Sequence, residues 1–259
     1  MTTEIEWSRL KAAEIAALAR QDAIVIAPIG ATEQHGPHLP SMVDWRCAQE
    51  VAQRAARLMR PKRPVVVTPV MPFGMSEHHM SLSGTITLDY ATMAALVGCV
   101  VESAIRHGFK RIFVLNGHGG NTEALRTIVT ELTVKHRLPL TTGTYWDIAA
   151  EPIKALLERQ KALLHACEAE TSMIMALAPE LVDPATLSQM HGAYIPGLSG
   201  IAGVNPAVYR WRQLASRSPN GVIGDAATAS AEKGERLLQA IAQAVADALL
   251  DERLWAEPI

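Results

Sequence analysis

The residues able to do chemistry concentrate in Glu33-Gln-His-Gly-Pro-His-Leu-Pro40, with Asp44 close behind. Carboxylates and imidazoles crowded beside a buried strand are costly to fold around unless something pairs them, and a divalent cation is the commonest partner for that mixture. Glu33 and His35 are two apart, so in an extended segment their side chains share one face. Asp44 follows a turn bounded by Pro37 and Pro40, which can bring it back to the same place. His118 lies in Asn116-Gly-His-Gly-Gly-Asn121, where small neighbours let the backbone approach an ion closely. A later carboxylate, Glu168 or Glu170, completes a set. Such a set exceeds what one tetrahedral structural zinc takes. It suits two hydrolytic metals ~3.5–4 Å apart that share a carboxylate and a water. The competing reading, a polar loop rich in His by chance, weakens because His118 repeats the setting.

The elements that must position these residues can be read from the apolar pattern. Ala23–Ile29, Pro64–Met71, Arg111–Leu115 and Leu138–Tyr145 read as short buried strands. Helical spacing marks Trp7–Arg20, Arg46–Met59, a helix capped by Asp89 that runs to His107 and ends at Gly108, a helix from Thr122 to His136, and Ala226–Leu250. Ile153–Ala178 reads as helical with a break around His165–Glu170. Residues from Pro179 to Gly224 are rich in Gly, Pro and Ser and form a long ordered loop or small subregion. Strands alternating with helices predict one domain over residues 1–259, a three-layer α/β/α sandwich with a mostly parallel sheet. In such sheets the loops after the strands' C-terminal ends gather on one edge and build the site. The first three strands all run into loops carrying His, Glu or Asp.

Composition narrows the function classes. At 259 residues the chain can bury a full core. A net charge of -2 leaves no basic footprint for nucleic acid and no polybasic membrane patch. Cys47, Cys99 and Cys167, odd in number and in apolar or helical contexts, read as buried reduced thiols. The segment Met1–Arg9 is polar, with no signal-peptide pattern, and the most apolar run, Met93–Val101, stops at Glu102. A cytoplasmic protein without nucleic-acid or membrane partners is expected.

Glu33-Gln-His-Gly-Pro-His-Leu-Pro40, Asp44, Asn116-Gly-His-Gly-Gly-Asn121, Glu170-Thr-Ser172 and Gly224-Asp225 with Ala231-Glu-Lys-Gly234 together resemble the creatininase (creatinine amidohydrolase) family. The likeness runs from about residue 7 to the closing helix. It implies a dinuclear zinc or manganese centre (iron is a third candidate), hydrolysis of a non-peptide C–N bond, often in a cyclic amide, and a homohexamer. Carried over, Glu33, Asp44 and His118 would hold one metal, and His35 and Asp44 the other, with Asp44 bridging. Creatininase takes its last ligand from a Glu that corresponds to Gly120 here. Glu170 is the substitute, with Glu168 behind it as a second acidic candidate for the site. Trp146 matches a Trp that packs on substrate, and His165 matches the His that moves a proton to the leaving nitrogen. A bridging hydroxide would attack the carbonyl while the amine leaves with a proton from that His. His79 matches a His at the mouth of the site. Gly117 and Gly119 are placed with it and Trp146 along the substrate.

The departures bear on specificity. A second substrate-contacting Trp of creatininase is Lys161 here, and its Phe-Pro-Gly-Thr is Leu82-Ser-Gly-Thr85. Creatinine is therefore disfavoured and an acidic small molecule suited. A lactam-opening enzyme is favoured over a formamide hydrolase, a peptide-trimming relative or a non-catalytic metal-stabilised scaffold. Glu77 and His78 read as solvated neighbours, and His107 and His136 as helix-end structural residues. His38 reads either as a donor behind the metal ligands or as a satisfier of its own loop's carbonyls, Cys167 as packing, and His191, in Met190-His-Gly-Ala-Tyr194, either as a loop His near a lid or as a plain surface residue.

Overall fold

The computed structural model describes residues 3–192 and 209–256. Helix α1 (Ala12–Arg20) leads into β1 (Ile24–Ile29), α2 (Val43–Met59), β2 (Val65–Val67), α3 (Tyr90–Arg106), β3 (Arg111–Asn116), α4 (Thr122–His136) and β4 (Thr141–Thr144). Then follow α5 (Tyr145–Ile148), α6 (Ala150–Leu156), α7 (Glu168–Leu177), the two-residue strands β5 (His191–Gly192) and β6 (Gly224–Asp225), and α8 (Ala231–Leu250). The main sheet has the order β2-β1-β3-β4 and every pairing in it is parallel, with Ile26 opposite Val67 on one side and Phe113 on the other.

The sheet is covered on both faces. Ile24, Ile26, Phe113 and Leu115 pack with α2, α7 and α8 on one face. Val25, Ala27, Ile29, Ile112 and Val114 pack with α1, α3 and α4 on the other. Neighbouring residues of a strand serve opposite cores, which is why β1 and β3 read as unbroken apolar runs. The three-layer α/β/α fold expected from the sequence is the one found. Pro28 is tolerated in central β1 because its N–H side faces β2, which ends at Val67; the Pro28 carbonyl there accepts from Met71 N–H, 2.9 Å away.

Several local expectations are corrected. Trp7–Arg9 is a separate 3-10 turn before α1, and Thr141 opens β4 three residues later than expected. Helix α2 begins at Val43, so Asp44 stands in its first turn and not in the preceding loop. Residues 157–167 are non-helical, and α7 starts only at Glu168. The Pro179–Gly224 stretch contains short 3-10 turns at Pro179–Leu181, Pro184–Gln189 and Leu214–Ser216 and the antiparallel β5–β6 pair; Tyr194 and the rest of 193–208 lie outside the described residues. Cys47 and Cys167 are buried, but Cys99 is exposed on α3. Among the described residues, no helix is long and apolar enough to cross a membrane.

Candidate metal centre

The C-terminal edge of the sheet carries the cluster. β1 runs out into Glu33, Gln34 and His35; β3 runs into Asn116 and the His118 loop; the first turn of α2 brings Asp44 between them. That turn can press onto the strand ends because Gly117 has no side chain. A Cβ there would stand 2.8 Å from the Asp44 carbonyl oxygen and 2.7 Å from Ala48 Cβ. Asn116 accepts from His118 N–H and donates to the His118 carbonyl and to Thr144 Oγ1, so the loop holds its shape. Asn121 ties the loops together, donating to the Gly30 carbonyl and accepting from Met75 N–H. The last arm is α7. Ala166, in a left-handed conformation at φ 53°, turns the chain so that its N–H is accepted by Glu170 Oε2. The carboxylate's other oxygen is thereby aimed at His35 Nε2, 3.9 Å away.

Glu33, His35, Asp44, His118 and Glu170 are all at most 3% exposed, so whatever satisfies their charges must lie among them. Asp44 is central, with Oδ1 3.1 Å from His35 Nε2 and Oδ2 2.9 Å from His118 Nδ1. Glu33 Oε1 lies 3.4 Å from His118 Nδ1. Despite this proximity, His35 Nε2, Asp44 Oδ2 and Glu33 Oε2 make no hydrogen bond. Each histidine instead spends its other nitrogen on a backbone carbonyl: His35 Nδ1 on Glu33 and His118 Nε2 on Met75. A carbonyl can only accept, so those outer nitrogens carry protons, and the inward ones face the carboxylates, where a proton or a metal ion can sit. Orphaned carboxylate oxygens facing the inward imidazole nitrogens, with the far N–H groups fixed by carbonyls, fit divalent metal ions.

The electrostatics agree. Burial raises Glu33 to about 7. Burial pulls His118 down, but Glu33 and Asp44 outweigh it and hold the ring near 9. His35 is raised in the same way by Asp44 and Glu170 against its burial. Protons thus fill the role of counter-charge inside this anionic cluster, as cations would.

Around this core the structure places the other residues named from the sequence. His165 Nε2 lies 3.0 Å from the Gln34 carbonyl, which accepts from it when that nitrogen is protonated, and 3.1 Å from Gln34 Nε2; Nδ1 is 3.8 Å from Glu33 Oε1. Burial and then the neighbouring His35 hold its pKa well below the usual value. Its backbone is bridged to Ile223 in both directions. His79 is buried, with Nε2 3.2 Å from Glu33 Oε1 and Nδ1 accepting from Gln34 Nε2 at 2.8 Å. Trp146 stands at the same sheet edge, half-buried in the first turn of α5 and edge-on to Tyr145. Gly119 is exposed, with open space where a side chain would be.

Other expectations are not met. Glu168 is not brought into the cluster: its carboxylate is buried against Lys233 Nζ and accepts from the N–H groups of Glu158 and Arg159. The bare face of Gly117 is turned to α2, where a Cβ would meet Ala48 and the Asp44 carbonyl. Lys161 is exposed. His78 is half-buried beside Glu33 and His118, not solvated. His38 hydrogen-bonds Thr171 Oγ1, the neighbour of Glu170, beyond its own loop. Gln34, Ser76 and Asn121 were missed. Gln34 had no signal: alternation would set it opposite Glu33 and His35, yet its Nε2 reaches His79 Nδ1 and His165 Nε2, rings that also lie against Glu33. Ser76, whose Oγ is 3.3 Å from His118 Nε2, had none.

Known proteins share this arrangement of sequence. The creatininase family profile, described as creatinine amidohydrolase, matches residues 8–249. The chain is 33% identical over 218 residues to the mycofactocin precursor peptide peptidase of Mycobacterium ulcerans, covering 82% of this chain and 79% of that protein. It is 29% identical over 266 residues to the creatinine amidohydrolase of Pseudomonas putida, covering 96% and 95%. A crystal structure of a putative creatinine amidohydrolase from Bacteroides fragilis superposes with a TM-score of 0.83 at 27% identity, covering all of both chains. Solved creatininases with TM-scores of 0.76 and 26% identity include a mutant in a zinc–zinc form and a manganese form; the matches cover 99% and 98% of this chain and all of those chains. The chain belongs to the creatininase family.

Proposed function

We propose that the protein is a metal-dependent amidohydrolase that opens a small cyclic amide or lactam at a non-peptide C–N bond. The observation that carries this reading is the set of buried, unpartnered donors on Glu33, His35 and Asp44, with His118 and Glu170 facing them. Glu33, His118 and Oδ2 of Asp44 would hold one ion; His35, Oδ1 of Asp44 and Glu170 would hold the second. The zinc–zinc and manganese forms of solved creatininases support those two metals. Divalent ions bound there acidify water and polarise an amide carbonyl.

The chain's own contribution is proton handling and positioning. With Nε2–H given to the Gln34 carbonyl, His165 offers Nδ1 as an acceptor beside the cluster. A proton taken at that atom from the attacking water can be returned to the leaving nitrogen, so that ring opening completes without a free amide anion. Burial keeps the imidazole neutral. Trp146 at the end of β4 offers a flat apolar face for a ring substrate. The same reading carries a cytoplasmic location, supported by the buried thiols of Cys47 and Cys167. It also carries a homo-oligomer, supported by the family resemblance alone.

A second reading, trimming of a peptide, is favoured by the 33% identity to the mycofactocin precursor peptide peptidase. A panel of lactams, N-formyl compounds and short peptides, with products read by mass spectrometry, separates the two. Ring-opened lactam products from the metal-loaded enzyme, lost on chelation, are expected. Release of amino acids or formate without ring opening would overturn the cyclic-amide assignment, and full turnover after chelation would overturn the metal dependence.

A further inference from the structure

We infer that His78 is an additional metal ligand on the Glu33–His118 side of the centre, lying in space that the bare Gly120 leaves open. This rests on the reading of the cluster as a two-ion site and adds a donor to it.

Glu33, His78 and His118 each offer a ligand atom, and those atoms all lie within 4.8 Å of one another. The short 3-10 turn Glu77–His79 presents two successive imidazoles to the cluster, their rings 4.2 Å apart. They are not equivalent. His79 has both nitrogens engaged, one with Gln34 and one with Glu33. Among the described residues, neither ring nitrogen of His78 makes a hydrogen bond. Its ring instead lies nearly parallel to that of His118, with centroids 5.7 Å apart and planes at 14°.

Gly120 explains how His78 comes to be there. A Cβ at 120 would stand 2.9 Å from His78 Cε1, 2.5 Å from His118 Nε2 and 2.2 Å from the Met75 carbonyl oxygen. A side chain at 120 and the imidazole of residue 78 therefore compete for one space, and this chain fills it with the imidazole. The consequence is an asymmetric pair of sites. With His78, the Glu33 side has two nitrogens and two carboxylates; the Glu170 side has one nitrogen and two carboxylates. The nitrogen-richer site favours zinc or cobalt over manganese.

The test is titration of chelated apoenzyme with Co(II), read by calorimetry and by the visible d–d bands, on wild type, His78→Ala and His35→Ala. Wild type should take up two equivalents. His78→Ala should weaken one class of site roughly 10–100-fold and alter its d–d bands; His35→Ala should impair the other class and leave those bands in place. Circular dichroism of the apo forms checks folding, with His78→Gln read in place of the alanine variant if that one does not fold. A His78 variant that binds two equivalents with wild-type affinity and spectrum would overturn the inference and leave the two-ion reading standing. A wild type that takes up no cobalt would overturn both.

Discussion

At the scale of single residues, the candidate ligand set was legible because carboxylates and imidazoles in a loop after an apolar strand have few inexpensive explanations. Glu33, His35, Asp44, His118 and Glu170 converge from separate segments, and inward atoms of Glu33, His35 and Asp44 lack hydrogen bonds. What could not be read is which neighbour occupies which gap. His78 reads as a surface residue until Gly120 is seen to leave room for its ring, and Glu168 reads as a spare ligand until Lys233 is found against it. His165 has a role that can be separated from metal binding. His165→Ala should lower kcat by roughly 10²–10⁴-fold, the range for losing a positioned acid–base group. Metal content should stay as in wild type. Equal loss of metal and activity would mean that His165 is a ligand and not the proton carrier.

At the scale of elements, the site depends on how tightly helices approach the strand ends. Gly117 permits the first turn of α2 to rest on β3, so Gly117→Ala must displace Asp44 or Ala48. A destabilisation of about 1–3 kcal/mol is expected, measured by denaturant unfolding. An unchanged midpoint would show that the loop relaxes freely. Helix α7 is anchored by the buried Glu168–Lys233 pair, in which Lys233 Nζ also donates to Glu158 Oε1 and the Thr228 carbonyl. Glu168→Gln should cost about 3–5 kcal/mol near neutral pH, because it strands a buried ammonium, and Lys233→Met a similar amount. The sign of the pH dependence follows from the folded-state shifts. Burial raises the pKa of Glu168, but Lys233 and two backbone N–H groups outweigh it and leave the carboxyl below its usual 4.5. Its stabilisation is thus full above that value and lost as pH falls below it. Lys233 is raised above 10.5 despite desolvation, so its share is full below that value and lost only as pH rises past the folded pKa. The penalty of Glu168→Gln should therefore shrink in acid; a penalty constant down to pH 3 would show that the pair is not the cause. None of this was legible, since Glu168 and Lys233 meet only through the packing of α7 on α8.

At the scale of the whole molecule, alternating apolar runs and helical periods were enough to predict the layered parallel sheet, because strands buried on both faces leave unbroken runs such as Ile24–Ile29. Element edges were less legible where side chains serve two masters. Asp44 looks like loop chemistry in sequence yet opens α2, and Tyr145 looks like a strand residue yet begins a helix at the sheet edge. The stretch after Pro179 has no period to read, and in its described parts it is a chain of short turns closed by the β5–β6 pair. The fold's purpose, in this account, is to hold five donors from four segments around two divalent ions. Elemental analysis of metal per chain, on protein purified without a metal-chelating tag, tests that claim most directly. Two equivalents of zinc or manganese in wild type, with one lost in Glu170→Ala, are predicted; a single equivalent, unchanged by that substitution, would contradict the account.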